Sequence, residues 1–442
     1  MTTTASKRED HDRRPLAWSL SLLLVGLLSA VPAAGKNVPH LRPLGTGSVL
    51  LVGGADQFNG PMSTLELYNG KTETFTCVFL GGINSATGAC TNTMAQRRFY
   101  ASVAPLPGGA VLIAGGNEVG ITCLNSAEIY DPSSGKITAT GSMTDAHCFA
   151  HTTTVLQNGR VLITGGEDQT GNLVNTADMY NPASGKFDCS ALGGADPNTG
   201  YCQSKLTDAR FLDTATLLND GRVLIAGGND GSIVNTAELF DPASGTFGCS
   251  GLGGSNAKTG FCNNTMTDSR ENHTASLLVS GPHAGDVLIA GGLDAGGKVL
   301  QTAELYSPTG SDFTATGSMT HPRYLHTATL LSHPYVKGRN AGKILITGGE
   351  DGTGTALATA ELYDPVAATF TPVGSMTTAR ALHSAQLIIS GPRKGYVLIA
   401  GGIDNAGNTL SSAELFNPKT GQFTATATMT VGCSSPDGAA LP

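Results

Sequence analysis

The sequence predicts an all-β fold, a seven-bladed β-propeller of four-stranded antiparallel sheets, in a chain of 442 residues. The first observation behind this prediction is a short apolar strand that ends in Gly-Gly and occurs seven times. Such a recurrence is typical of repeat proteins, in which each unit is too small to bury a core alone. The seven strands are Val49–Gly54, Val111–Gly116, Val161–Gly166, Val223–Gly228, Val287–Gly292, Ile344–Gly349 and Val397–Gly402.

The second observation is that three further strands align around each Gly-Gly strand. A first strand such as His326–Leu331 precedes it, and a third strand such as Ala360–Pro365 follows it. A fourth strand runs from an aromatic residue to a methionine, as in Phe313–Met319, after a D-P-x-x-G turn like Asp131–Gly135. Short strands separated by turn residues indicate successive antiparallel sheets, and seven such sheets in one chain favour a radial propeller.

The N-terminal segment has the pattern of an export signal. Its basic residues end at Arg14, an apolar run covers Leu16–Val31, and small residues at Ala33–Gly35 offer a cleavage site. We therefore expect residues 1–35 to be a signal peptide and residues 36–442 to be one propeller, secreted or periplasmic. The apolar run is shorter than the roughly 20 residues of a typical membrane span. We expect no membrane span after signal removal, with an uncleaved anchor as the alternative.

The first blade lacks an obvious first strand, because it begins at its Gly-Gly strand. The C-terminal Met429–Pro442 matches Met94–Pro107 in length and in its Leu-Pro ending. This alignment predicts that Gly438–Leu441 supplies the missing strand beside Val49–Val52 and closes the ring without free edges. Pro39–Leu44 is the competing candidate for the same position.

These repeats resemble the kelch repeat, which carries the Gly-Gly doublet, the Glu-x-Tyr of strand three and the Asp-Pro turn. The resemblance covers nearly all of the chain after residue 35 and implies a kelch-type propeller, closest to exported bacterial kelch proteins. One departure is on strand four, where kelch units usually carry Trp. Here that position holds Phe75, Ile137, Phe187, Phe247, Phe313, Phe370 and Phe423.

The composition argues against nucleic-acid binding. Only 14% of the residues are charged, and the formal net charge is -8. Nucleic-acid binding needs clustered Lys and Arg, so we expect no nucleic-acid partner. We expect a monomer.

The cysteines predict disulfides rather than a metal site. Three pairs share a spacing of 13 residues, which equals the surplus length of the loops that contain them. Each bond would close the base of a loop in an oxidising compartment. Metal binding is the weaker alternative, because no second Cys or His pair accompanies each one. The predicted bonds are Cys77–Cys90, Cys189–Cys202 and Cys249–Cys262, with Cys123–Cys148 as a fourth and Cys433 left free.

Several polar residues recur in nearly every blade, which favours a structural role for them. Arg follows the strand-four methionine position by four residues in five blades, and a carboxylate recurs on strand three, so we expect these charges to pair. The inner histidines occupy equivalent places on different blades, too far apart to share a metal ion. The arginines are Arg98, Arg210, Arg270, Arg323 and Arg380, and the histidines are His151, His273, His326 and His383.

The resemblance also raises an enzymatic alternative, because galactose oxidase and its relatives carry kelch-like blades. Their copper site uses a Tyr-His sequence pair and a Tyr joined to a Cys, whereas no His follows a Tyr here. H-E-x-x-H and a nucleophile elbow are likewise missing from the sequence. We therefore expect no catalytic residues, metal or cofactor. We interpret the chain as an exported, non-catalytic binding or scaffolding module. The alternative is a carbohydrate-active enzyme, either galactose or glyoxal oxidase-like or sugar epimerase-like.

Two surfaces are candidates for binding a protein or glycan. The first is the mouth, where residues vary between blades at one fixed position, although the same aromatic residues would also serve simply to pack between blades. The second is a basic cluster on the opposite face, in the longer connections of blades six and seven. The mouth candidates are Phe99, Tyr100, Phe149, Phe211, Glu271, Asn272 and Tyr324. The basic candidates are Lys337, Arg339, Lys343, Arg393 and Lys394.

Overall fold

The computed structural model confirms the seven-bladed β-propeller. It describes residues 47–430 except 57–59, 78–80, 83–84, 86–89 and 119–121, together with the backbone of Asp437–Ala440. Each blade is a four-stranded antiparallel sheet. The first strands of neighbouring blades contact one another all the way round, so they surround the central axis. The described residues include no helix long and apolar enough to cross a membrane.

The strands are given from blade one to blade seven. The first strands are Asp437–Ala440, Ser102–Pro105, Thr152–Val155, Thr214–Leu217, Thr274–Leu277, Thr327–Leu330 and Ser384–Leu387. The second strands are Ser48–Val52, Val111–Ala114, Val161–Thr164, Val223–Ala226, Val287–Ala290, Ile344–Thr347 and Val397–Ala400. The third strands are Leu65–Asn69, Ala127–Asp131, Ala177–Asn181, Ala237–Asp241, Ala303–Ser307, Ala360–Asp364 and Ala413–Asn417. The fourth strands are Thr74–Thr76, Lys136–Ala139, Lys186–Phe187, Thr246–Gly248, Asp312–Ala315, Thr369–Pro372 and Gln422–Ala425. Blade two also carries a short hairpin of Asn117–Glu118 and Thr122–Cys123.

The core lies between the blades. Each second strand is buried throughout and mostly apolar because both of its faces are covered, and successive side chains point to opposite faces. In blade four, Val223 and Ile225 pack towards blade three, whereas Leu224 and Ala226 pack towards blade five. The strand-four phenylalanines stack on the strand-three aromatic residue of their own blade, as in Phe370 on Tyr363 with 4.8 Å between ring centroids.

The C-terminal segment closes the ring, as predicted. Asp437–Ala440 pairs antiparallel with Val49–Val52, one residue earlier than the predicted Gly438–Leu441. The competing segment Pro39–Leu44 and the expected signal peptide at residues 1–35 lie outside the described residues.

All four predicted disulfides are present. The Cα–Cα distance is 5.0 Å in Cys77–Cys90, Cys189–Cys202 and Cys249–Cys262, and 4.8 Å in Cys123–Cys148. Such bonds are typical of proteins outside the cytosol. Cys433 lies outside the described residues.

Candidate functional site

The recurring arginines and carboxylates form buried clamps in five of the seven blades, which confirms the predicted pairing. In blade six, Arg323 donates to the carbonyl oxygens of Gly348 and Thr359 at 2.6 and 3.2 Å, and to the carboxylate of Glu361 at 3.0 Å. The same carboxylate accepts the backbone N–H of Thr320 at 2.9 Å, which ties down the chain between blades five and six. The other four pairs are Arg98–Glu128, Arg210–Glu238, Arg270–Glu304 and Arg380–Glu414.

Blade three uses histidine in place of the clamp arginine. The Nδ1 atom of His147 lies 2.6 Å from the carbonyl oxygen of Gly165, and its Nε2 atom lies 3.3 Å from Asp178. Neighbouring Asp178 raises the pKa of His147, although its burial opposes the shift. The clamp therefore keeps the same two partners, the Gly-Gly carbonyl and the strand-three carboxylate, with a shorter side chain.

The inner histidines join neighbouring blades. The Nε2 atom of His326 lies 3.0 Å from the hydroxyl of Thr274, and that of His273 lies 3.0 Å from Thr214. Burial lowers the pKa of His273 to about 3, so this imidazole is neutral. The described residues contain no group of three or more His, Cys, Asp or Glu side chains placed to hold a metal ion.

The Gly-Gly doublet marks where the chain leaves the blade at the mouth. In blade six, Gly348 and Gly349 have φ values of 58° and 92°, which favour glycine. A Cβ on Gly348 would collide with the carbonyl oxygen of Arg380, and one on Gly349 with that of Tyr324. The doublet is therefore glycine because connecting segments cross closely on both sides of it.

A hydrogen-bonded belt surrounds the axis just before the first strands, and we call its residues the floor. Each has a φ between 53° and 61°. Their backbones are linked from blade to blade, for example from the N–H of Leu382 to the carbonyl of Leu325 at 3.2 Å, and from the N–H of Leu325 to that of Asn272 at 3.4 Å. The floor residues are Tyr100, Ala150, Leu212, Asn272, Leu325 and Leu382.

A second layer, which we call the wall, lies beside the floor. It consists of the residue just before each floor residue and the residue that follows each Gly-Gly doublet. These pair as backbone bridges in five blades, as in Tyr324 with Glu350. Floor and wall side chains pack together, with Leu325 and Leu382 against Tyr324 and Ile403. The wall residues of blades two to seven are Phe99, Asn117, Phe149, Glu167, Phe211, Asn229, Glu271, Leu293, Tyr324, Glu350, Ala381 and Ile403.

The structure thus divides the seven mouth residues proposed from the sequence into wall and floor. The wall members Phe99, Phe149, Phe211 and Tyr324 are partly exposed, whereas Glu271 is 6% exposed. The floor members Tyr100 and Asn272 are 3% and 1% exposed. The exposed side chains among these seven therefore belong to the wall.

An aromatic cluster sits where blades two and three meet. Tyr100 stacks on Phe99 with 3.7 Å between ring centroids and lies 5.1 Å from Phe149. The adjacent connection is one residue longer than in the other blades, and the extra residue, Cys148, bonds to Cys123 of the neighbouring loop. This disulfide holds the cluster against blade two.

Wall carboxylates bind neutral neighbours. Glu271 accepts the Asn229 amide at 2.9 Å, and Glu350 accepts the Tyr324 hydroxyl at 2.7 Å. Burial raises the pKa of Glu271 and that of Glu167, and burial together with Glu350 raises the pKa of Tyr324. Sequence reasoning missed Glu167, Asn229 and Glu350, although their place after Gly-Gly was a usable signal.

The basic face is partly neutralised. Arg393 pairs with Glu73, its Nε atom lying 2.6 Å from the carboxylate, and Lys343 pairs with Asp364 at 3.0 Å. The Lys394 ammonium lies 5.2 Å from the ring centroid of Tyr335. Lys337 and Arg339 are exposed.

Comparisons with known proteins agree with this architecture. The family model of the kelch motif matches residues 340–377 and 393–430, in blades six and seven. No curated protein matches the sequence. One similar solved structure is a novel fungal alcohol oxidase with catalytic diversity among the AA5 family, in complex with copper.

The match to this oxidase has a TM-score of 0.51 and 17% identity, and covers 75% of this chain and 65% of that one. At this identity the likeness shows the fold alone, and the chain spans 65% of the oxidase's length. The motif matches and the seven four-stranded blades together identify the chain as a kelch-repeat β-propeller.

Proposed function

We propose that this propeller is an exported, non-catalytic binding module that recognises a protein or glycan at its mouth. One observation carries the proposal. The polar residues that repeat in nearly every blade are buried and form hydrogen bonds within the ring, whereas the mouth residues that vary between blades include the partly exposed side chains of the wall. Arg323 and His326 are buried and hydrogen-bonded within the ring, but Phe211 and Tyr324 remain partly exposed. Partly exposed aromatic side chains suit recognition, because they stack on sugars or peptides at low entropic cost.

Export is part of the proposal. The four disulfides need an oxidising compartment. The basic and apolar pattern of residues 1–35 supplies the route, to the periplasm or outside the cell. The protein acts there as a monomer.

The test compares ligand capture by the full chain with capture by wall variants. A glycan array and a pull-down from the native secretome supply the ligands. Phe211→Ala and Tyr324→Ala should each weaken capture at least tenfold, since truncating a binding hot spot typically costs about 2 kcal/mol or more. Tyr100 is left intact because it is buried.

The control is the Lys337→Ser, Arg339→Ser, Lys394→Ser triple variant on the opposite face. Loss of capture in this variant with retention in the wall variants would place binding on the basic face instead. Turnover of an aldehyde or sugar with added copper would favour the enzymatic alternative.

A further inference from the structure

The mouth is the acidic end of the molecule. The seven loops that follow the Gly-Gly doublets contain nine carboxylates and one basic residue, Lys298. Asp56 aside, the carboxylates of these loops form no ion pair among the described residues, whose ion pairs involve carboxylates on the strands, on the connections between blades and on the opposite face. The nine are Asp56, Glu118, Glu167, Asp168, Asp230, Asp294, Glu350, Asp351 and Asp404.

Charge and aromatic surface coincide in one arc of the wall, in blades three to six. Blade three contributes Phe149 and Glu167, and blade six contributes Tyr324 and Glu350. Phe211 of blade four and Glu271 of blade five lie between them. Blade seven, by contrast, presents Ala381 and Ile403.

A buried amide in the floor of this arc has no partner. Neither Oδ1 nor Nδ2 of Asn272 has a hydrogen bond within the described part of the chain, and the residue is 1% exposed. Equivalent floor side chains, such as Leu325 and Leu382, pack towards the wall. The repeat geometry therefore directs the Asn272 amide towards the wall beside Glu271. Leaving a buried amide unpaired costs about 1–3 kcal/mol, so it marks a place where a polar ligand group fits.

We infer that the arc of blades three to six binds an organic cation, the ammonium of a lysine or the guanidinium of an arginine on a protein segment. The inference rests on the proposed function, since it names the ligand class of the same mouth. Carboxylates held by neutral neighbours keep their charge available to a cation, and aromatic faces attract cations through their ring quadrupole. The acidic loops above the arc raise the local concentration of such a ligand.

The wall carboxylates also provide an internal readout. Burial raises the pKa of Glu271, and burial together with the neighbouring Asp168 carboxylate raises the pKa of Glu167. A bound ammonium or guanidinium lowers the pKa of both, since an opposite charge favours the ionised form. NMR titration of these side chains with and without ligand measures this shift independently of affinity.

The probes are fluorescent hexalysine and hexa-arginine peptides, with hexaglutamate and a neutral Gly-Ser hexapeptide as comparisons and spermine as a small polyamine. Binding is measured by anisotropy, or by calorimetry for spermine, at two salt concentrations. The variants Glu271→Gln and Glu350→Gln keep the shape of the wall and remove one charge each. Asp312→Asn is the matched control, because it removes one exposed charge at the start of strand four of blade five.

We expect the basic peptides to bind and each Gln variant to weaken them at least fivefold, with less than a twofold effect of Asp312→Asn. Equal effects of all three variants would show diffuse attraction to an acidic protein and overturn the inference. Preference for spermine over the peptides would overturn the assignment to a protein segment.

If the chain captures neutral or acidic ligands and this capture depends on Phe211 and Tyr324, the inference that the ligand is a cation fails, and the proposed function still stands. If no ligand of any class depends on the wall, the proposed function fails with it.

Discussion

Asp213 occupies the position that histidine holds in four other blades, and its environment is poor for a charge. It is 4% exposed, and neither carboxylate oxygen has a hydrogen-bond partner among the described residues. Burial raises its pKa from 3.8 to about 7, against the opposing field of Arg210. The neutral histidines at this position bond to a side-chain hydroxyl of the preceding blade, as His326 does to Thr274.

Asp213→Asn should therefore change how stability depends on pH. Between about pH 4 and pH 7 the folded chain holds a proton that the unfolded chain releases, so native stability falls as pH rises through this range and is flat above it. The variant lacks this loss. The free energy of unfolding of the variant, measured in urea relative to that of the native protein, should increase from pH 4 to pH 7. The increase should reach a few kcal/mol, at about 1.4 kcal/mol per pKa unit, and then stay constant. Parallel profiles of variant and native protein would contradict this, and exposed Asp312→Asn serves as the control.

Neighbouring blades also contact each other through a pair of side chains, one on strand three and one at the end of strand four of the preceding blade. The hydroxyl of Tyr363 on strand three lies 2.8 Å from the hydroxyl of Thr316 in the preceding blade, and Tyr180 lies 2.9 Å from Thr140. Where strand three carries Phe416, the preceding blade presents Val373 instead, and the two lie in one apolar cluster.

In blade four a disulfide loop replaces this contact. Strand four of that blade leads into the Cys249–Cys262 loop, whose Gly251 carbonyl accepts the hydroxyl of Tyr306 at 2.8 Å. The loop thus supplies an acceptor where blades two and five use a threonine. This disulfide loop therefore takes part in joining blades four and five.

Introducing a hydroxyl pair between blades six and seven, where Phe416 and Val373 now meet, tests whether such pairs join the blades. Phe416→Tyr alone should destabilise the protein by about 1–3 kcal/mol, because the buried hydroxyl faces Val373. Adding Val373→Thr should restore most of this loss, and a double-mutant cycle in denaturant measures the coupling. The reverse exchange, Tyr363→Phe with Thr316→Val, is the control and should show similar coupling. Additive effects in both cycles would rule out the pairing.

At the scale of the whole molecule, stability depends on the far end of the chain. Asp437–Ala440 pairs with Val49–Val52, and it contacts the first strands of blades two and seven. Without it, the ring would have an open edge and an uncovered gap at the axis.

Deleting residues 437–442 should lower the thermal midpoint, broaden the transition and promote aggregation through the exposed edge of Ser48–Val52. Calorimetry with light scattering measures both effects. Gly438→Pro is a milder variant, because proline lacks the backbone N–H and weakens pairing opposite Leu51. Unchanged unfolding of the shortened chain would mean that this strand does not hold the ring together.

The sequence by itself determined the seven blades, the four disulfides and the closure of the ring. These features follow from local patterns: alternation, turn residues and equal loop lengths recur seven times, so each unit supports the interpretation of the others. The pairing of Arg323 with Glu361 was also within reach, because a charge that recurs on a buried strand needs a partner.

Only the tertiary structure decided which mouth side chains are exposed and which are buried. Tyr100 and Tyr324 are one position apart in the repeat, yet the first belongs to the buried floor and the second to the wall. A left-handed backbone at each floor residue turns its side chain under the mouth, and no residue pattern indicates it, since Tyr, Ala, Leu and Asn all adopt it. Backbone hydrogen bonds between neighbouring blades link five of these residues, from Ala150 to Leu382, so the conformation depends on how the blades pack together.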